Sequence, residues 1–260
     1  MTTSSRKVYL ITGVNSGLGK AFDEAALNGG HSVIGTVRAQ QAKEDFERTP
    51  GRAHAMVLDV TAFEAVEPAI AAAMQRVGPV DVLINNAGYG HEGILEESPL
   101  DELIEQFNVN VFGAVAVTKA VLPAMRSRRS GHIFNITSMA GLTTFPGVAY
   151  YSGSKFALDG ISATLAQEVK SFGVRVTAVA PVSFRTDWAG RSMIRSKRAI
   201  ADYDELFNPV RRAREIKSGK QSGDPAKAAQ AILDLVENDN PPVHLLLGKD
   251  AIEAVRDRLT

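Results

Sequence analysis

Short apolar runs alternate with longer amphipathic stretches along this chain, and the alternation predicts its elements. Runs at 8–12, 32–37, 53–59, 80–85, 131–137, 174–180 and 243–247 read as strands. Stretches at 17–27, 40–48, 62–76, 100–126, 150–172 and 224–237 read as helices. The first helix closes at Asn28-Gly29-Gly30, and the last opens on Pro225, a position that suits proline. A bend is expected near 108–110. Apolar strands separated by helices predict a parallel sheet covered on both faces. Right-handed crossovers make such a sheet doubly wound, so the expected class is α/β.

No linker, repeat or low-complexity segment divides the chain, and residues 1–260 are read as one domain. Residues 183–222 break the rhythm. They are polar, weakly periodic and longer than an ordinary loop. They follow the sixth strand, at the end where ligands bind in open α/β sheets, and read as a substrate loop or lid.

Composition removes several classes of function. Apolar residues make up 45% and charged residues 22%, with 29 acids against 29 bases. That balance gives no reason to expect nucleic acid or a membrane surface as partner. Cysteine is absent, which excludes disulfides and thiolate chemistry. The five histidines (31, 54, 91, 132, 244) are scattered, so no metal site is expected. No apolar run reads as a membrane span and no signal peptide is seen, so the expected location is cytoplasmic.

The first strand runs into Thr12-Gly13-Val14-Asn15-Ser16-Gly17-Leu18-Gly19 and then a helix. Glycines here let the backbone turn tightly and approach a pyrophosphate, while the helix N-terminus adds a positive field. The dinucleotide fingerprint expects an acid at the end of the second strand to hold the ribose 2′-hydroxyl. Val37 stands there instead, followed by Arg38, whose planar fork of donors suits a 2′-phosphate. NADP is therefore expected as cofactor, with NADPH preferred over NADH. Asp59 is a candidate partner for the adenine amino group. Val60 beside it, and Asn15, Ser16 and Leu18 in the turn, complete this set of contacts.

Tyr151 and Lys155 lie four residues apart on a predicted helix, hence one above the other on the same face. A phenol titrates near ~10, and a neighbouring ammonium favours the phenolate, so the pair makes a proton-transfer device. Ser138 precedes Tyr151, and Asn85-Asn86-Ala87-Gly88 follows the fourth strand. With these motifs in order, the chain resembles the short-chain dehydrogenase/reductase family in its short branch, over 6 to about 190. The resemblance implies a seven-stranded Rossmann sheet, a homodimer or homotetramer, and a small carbonyl or alcohol substrate. It implies that Asn110, Ser138, Tyr151 and Lys155 are catalytic. Asn86, Ala87 and Gly88 would border the nicotinamide ribose, Lys155 would hold its hydroxyls, and Thr186 would bind the carboxamide.

One position departs from the family pattern. Where Pro-Gly is usual after the sixth strand, Pro181-Val182 stands, adding bulk beside the expected nicotinamide or narrowing the substrate pocket. His91 reads as a pocket-mouth or surface residue. The expected activity is hydride transfer between NADP(H) and a ketone or secondary alcohol. A dinucleotide-sensing regulator without catalysis is the alternative, and an extended-branch epimerase or dehydratase a third. The excess of Arg and Lys in residues 187–222 suits an anionic substrate or merely a solvated loop.

Overall fold

The computed structural model describes residues 6–47, 51–186, 188, 190 and 192–259. The expected helix end at 48, and lid positions 187, 189 and 191, lie outside the described residues. The strands are β1 (Val8–Thr12), β2 (Ser32–Val37), β3 (Ala53–Val57), β4 (Val82–Asn85), β5 (Gly90–Glu92), β6 (Gly131–Ile136), β7 (Val174–Pro181), β8 (Met193–Arg195) and β9 (His244–Leu247). The helices are α1 (Gly17–Asn28), α2 (Gln40–Phe46), α3 (Phe63–Val77), α4 (Leu100–Phe107), α5 (Ala114–Arg128), α6 (Ala149–Val169), α7 (Asp204–Lys217), α8 (Pro225–Val236) and α9 (Lys249–Leu259).

Seven strands form one parallel sheet in the order β3-β2-β1-β4-β6-β7-β9, a Rossmann-type α/β fold. The order reverses between β1 and β4, which opens a crevice at their carboxyl ends. Alternate residues of each strand feed opposite faces. Tyr9 and Ile11 pack with Phe22, Ala26, Ala229 and Ile232 of α1 and α8. Leu10 and Leu83 pack with Val66, Val117, Val121 and Met125 of α3 and α5 on the other face.

The expected bend is a π-helical turn, Asn108–Gly113, between α4 and α5. One extra residue in a helical turn re-aims a side chain, here that of Asn110. By length and composition the helical run Leu100–Arg128 is apolar enough to cross a bilayer, contrary to the sequence reading. Part of that apolarity serves the sheet, since Val117, Val121 and Met125 are wholly buried against it.

Residues 183–222 carry more structure than their composition predicts. β8 pairs in parallel with β5, Gly90 opposite Met193, and α7 follows. Phe207 of α7 is buried beneath Gly147, where a Cβ would lie 2.0 Å from its ring.

Asp23 of α1 is buried with its Oδ1 unpartnered, and burial pushes its carboxyl up to about 7. The folded state therefore holds a proton that the unfolded chain has released. Its stabilising effect is full below the ordinary carboxylate range and is lost as pH rises through about 7. Asp23→Asn should raise the unfolding midpoint at pH ~8, by an effect on the order of a few kcal/mol, and leave it nearly unchanged at pH ~4. Thermal unfolding at the two pH values checks this; equal shifts at both would refute it.

Candidate active site

The β1–α1 turn is shaped by close backbone approach. Gly13 (φ +72°) and Gly17 (φ +58°) are left-handed, a conformation costly for other residues. A Cβ on Gly19 would lie 2.1 Å from the Gly13 carbonyl oxygen. Asn86 Nδ2 donates to the Thr12 and Gly13 carbonyls at 2.9 and 3.1 Å. Thr12 Oγ1 accepts from the Asn86 and Ala87 N–H groups at 2.9 and 2.8 Å. These bonds weld the turn to the end of β4. Ser16, at the N-cap of α1, makes no side-chain capping bond, so first-turn N–H groups remain for an anion. The cradle fits a dinucleotide pyrophosphate. Thr186 stands over it, 3.7 Å from where a Gly17 Cβ would be.

Arg38 is exposed at the end of β2, and Asn15 is exposed in the turn. Asp59 Oδ1 accepts from the N–H and hydroxyl of Thr61 at 2.9 and 2.7 Å. Those bonds, with the charge of Arg38, hold its carboxyl below the usual range. Val60 packs over Gly113, where a Cβ would lie 2.7 Å from its Cγ2.

The four residues expected to be catalytic converge at the carboxyl end of the sheet. Tyr151 and Lys155 lie on successive turns of α6, both buried. Ser138, just beyond β6, stands near enough to the Tyr151 hydroxyl to favour its charged form. Its Oγ also accepts from the Ala140 N–H at 3.1 Å. Lys155 Nζ donates to the Ile136 carbonyl at 2.8 Å and lies 5.7 Å from the centre of the Tyr151 ring. Asn110 Oδ1 accepts from the Tyr89 N–H, while its Nδ2 donates to the Tyr89 carbonyl and to Ser154 Oγ, all at 3.1 Å. Gly88 allows this approach: a Cβ there would lie 2.9 Å from Asn110 Oδ1.

The electrostatics differ from the sequence expectation. The ammonium was expected to lower the phenol, yet burial pushes Tyr151 up to about 12, against the opposing pull of Ser138. Burial also pushes Lys155 down to about 8. Desolvation disfavours the charged form of each and is the largest cause of both shifts.

Neighbouring candidates separate cleanly. The Tyr150 hydroxyl points away, donating to the Ser98 carbonyl at 2.7 Å. His91 is neither at the surface nor at a pocket mouth. It is buried, tilted against Tyr150 with ring centres 4.8 Å apart, and its Nε2 lies 2.7 Å from Glu102 Oε2. Pro181 closes β7 opposite Leu247. The Val182 side chain packs on Phe184, Ala228 and Ala251, and leaves no room for a Cβ on Gly248 (2.5 Å). Leu18 and Met139 border the same cluster.

Two features escaped the sequence reading. Trp188 lies over Tyr151, ring centres 5.1 Å apart. Glu92 is a buried carboxylate held by Arg195 Nε at 3.2 Å and Arg214 Nη1 at 3.1 Å, with Arg211 Nε at 3.8 Å. Arg198 pairs with Glu97 and Asp204. Much of the basic charge of 183–222 is thus spent on ion pairs that tie the segment to β5 and its neighbours. No sequence pattern signals either feature, because both join residues distant in the chain.

A glycine-rich strand-to-helix cradle lies beside the buried Ser138, Tyr151 and Lys155. Residues 7–195 match the short chain dehydrogenase family, and the chain belongs to it. It is 39% identical to "Oxidoreductase BOA17" of Botryotinia fuckeliana, over 95% of this chain and 90% of that protein. A short-chain dehydrogenase from Streptomyces avermitilis superposes with a TM-score of 0.91 at 41% identity, covering 98% of this chain and 93% of that one. ElxO, solved with NADP bound, gives 0.80 at 26%, covering 95% and 99%. A Burkholderia phymatum member solved with NAD shares the fold at 24% identity, with a TM-score of 0.85, covering 98% and 94%. The protein is a nucleotide-binding oxidoreductase of this family.

Proposed function

We propose that the protein transfers a hydride between NADP(H) and a ketone or secondary alcohol. The observation that carries this is the convergence of Ser138, Tyr151 and Lys155, all buried, at the strand ends beside the glycine cradle. The nicotinamide, when bound, supplies or takes the hydride, so the protein must orient the carbonyl and move one proton. Ser138 donates to the substrate oxygen, where negative charge develops. Tyr151 gives that oxygen its proton in reduction and takes it back in oxidation. Lys155 holds the ribose hydroxyls and, through its charge, favours the phenolate. Asn110, through Tyr89 and Ser154, fixes the floor beneath Lys155. Residues 183–222 form the substrate loop over this site. The experiment is a panel of ketones with NADPH, followed by loss of the reduced nicotinamide absorbance. Consumption that requires a ketone supports the reading; binding without consumption across the panel refutes it.

The cofactor reading rests on Arg38, which offers a charged fork where Val37 offers no carboxylate. A charge-assisted bond of this kind contributes roughly 1.5–3 kcal/mol, or about ten- to hundredfold in favour of NADPH. Arg38→Ala should remove most of that preference, and Val37→Asp should reverse it. The comparison belongs at low ionic strength, since salt screens an exposed contact. A preference for NADH in the unmodified protein would overturn this assignment.

The homodimer or homotetramer reading is supported by an apolar groove of about 680 Å³ between α5 and α6. Leu122, Phe156, Ile161 and Leu165 line it, and Ile161 is exposed. A cytoplasmic location is part of this reading.

A further inference from the structure

The chain contains a single tryptophan, and it lies on the proposed proton donor. The rings of Trp188 and Tyr151 are 5.1 Å apart and inclined at 56°. Ala140 and Val148 complete that contact. Behind the indole is Gly90 of β5. A Cβ at Gly90 would stand 2.8 Å from Trp188 Cζ2 and 3.1 Å from Met193 Cε. The indole is therefore held between the Tyr151 ring and a stretch of bare backbone.

That backbone is fixed. Gly90 pairs with Met193 across β5 and β8, and Glu92, two residues on, is clamped by Arg195 and Arg214. The Gly93 N–H donates to the Gly147 carbonyl at 3.0 Å, and Arg214 Nη2 donates to the Pro146 carbonyl at 2.7 Å. Phe207 fills the space under Gly147. These contacts join β5, β8, α7 and the 146–148 loop into one wall, which resists retreat because interiors are close-packed. A carbonyl oxygen bonded to Tyr151 and Ser138 brings its two carbon substituents beside the Tyr151 ring. The indole, packed 5.1 Å from that ring, bounds this space on one side.

We propose that Trp188 is the specificity-determining residue of the site: it restricts one substituent of the substrate carbonyl to about the size of a methyl group, and Gly90 is its seat. This rests on the ketone-reductase reading above. Acetophenone and isobutyrophenone serve as probes, since both carry the same aryl group and differ in the bulk of the alkyl one. The wild type should favour acetophenone. Trp188→Ala should raise the isobutyrophenone-to-acetophenone ratio of kcat/KM about ten- to hundredfold, in keeping with what added methylenes cost in a tight pocket. Trp188→Phe should shift it the same way by less. Gly90→Ala should lower it, because its Cβ presses the indole towards Tyr151. In Tyr151→Phe loaded with cofactor, acetophenone should change the emission of Trp188 without turnover. Circular dichroism confirms that each variant is folded; if Trp188→Ala is not, Trp188→Phe decides. An unchanged ratio in a folded, active Trp188 variant overturns the inference alone. A wild type that reduces neither ketone, nor any other in the panel, overturns the proposed function and this inference with it.

Discussion

Tyr151→Phe is expected to lose turnover by about a hundred- to ten-thousandfold while binding the cofactor almost as well as the wild type. The substitution removes one oxygen and the proton it carries, and leaves the ring packed between Lys155 and Trp188. Tyr150→Phe is the matched control. Its hydroxyl bonds to the Ser98 carbonyl and does not reach Ser138, so any loss there should appear as a lowered unfolding midpoint with near-normal turnover. Steady-state kinetics and cofactor titration on both variants check this. Turnover that survives in Tyr151→Phe would remove the phenol from the chemistry.

Lys155→Met is expected to lose turnover and cofactor affinity together, because the proposed mechanism gives one ammonium both tasks. It bonds to the Ile136 carbonyl and stands beside the Tyr151 ring and the Gly88 backbone. Loss of a charged partner in a partly closed site costs roughly 1.5–3 kcal/mol in binding, or about ten- to hundredfold in Kd. The pH dependence has a definite sign. Burial lowers Lys155 to about 8. Its charge is present below that pH and lost above it, so wild-type cofactor affinity should weaken as pH rises through about 8. In Lys155→Met that dependence should vanish. A Kd equal to the wild-type value and equally sensitive to pH would place the lysine outside the cofactor site.

The sheet was legible because burial on both faces leaves apolar runs such as Val33-Ile34 and Leu83-Ile84. Each of these puts neighbouring residues into opposite cores. Tyr151 and Lys155 were legible as neighbours because helical geometry sets residues four apart on one face, whereas Ser138 was read from the family resemblance. The β5–β8 pair was not. Its strands have three residues each, too few for a period of two to show, and they are joined from positions 90 and 193. Helix α7 was hidden for a different reason: among its described residues Phe207 alone is buried, so there is little apolar stripe to read. His91 looked like a surface residue because histidine is polar. Its burial depends on Glu102 and Tyr150, which only the fold brings to it. The titration of Tyr151 was misjudged on the same ground. Spacing reveals a neighbouring charge, whereas the degree of desolvation is a property of the packed site.

The most direct measurement is the fate of the transferred hydrogen. Reduced cofactor carrying deuterium at the reactive nicotinamide carbon is mixed with the wild type and the ketone panel, and products are examined by mass spectrometry. The account predicts that deuterium appears on the carbinol carbon of a secondary alcohol, in proportion to cofactor oxidised, with labelled NADPH consumed faster than labelled NADH. Cofactor that binds tightly but stays reduced against every ketone, with no labelled alcohol formed, would contradict it and leave a dinucleotide sensor on the same fold.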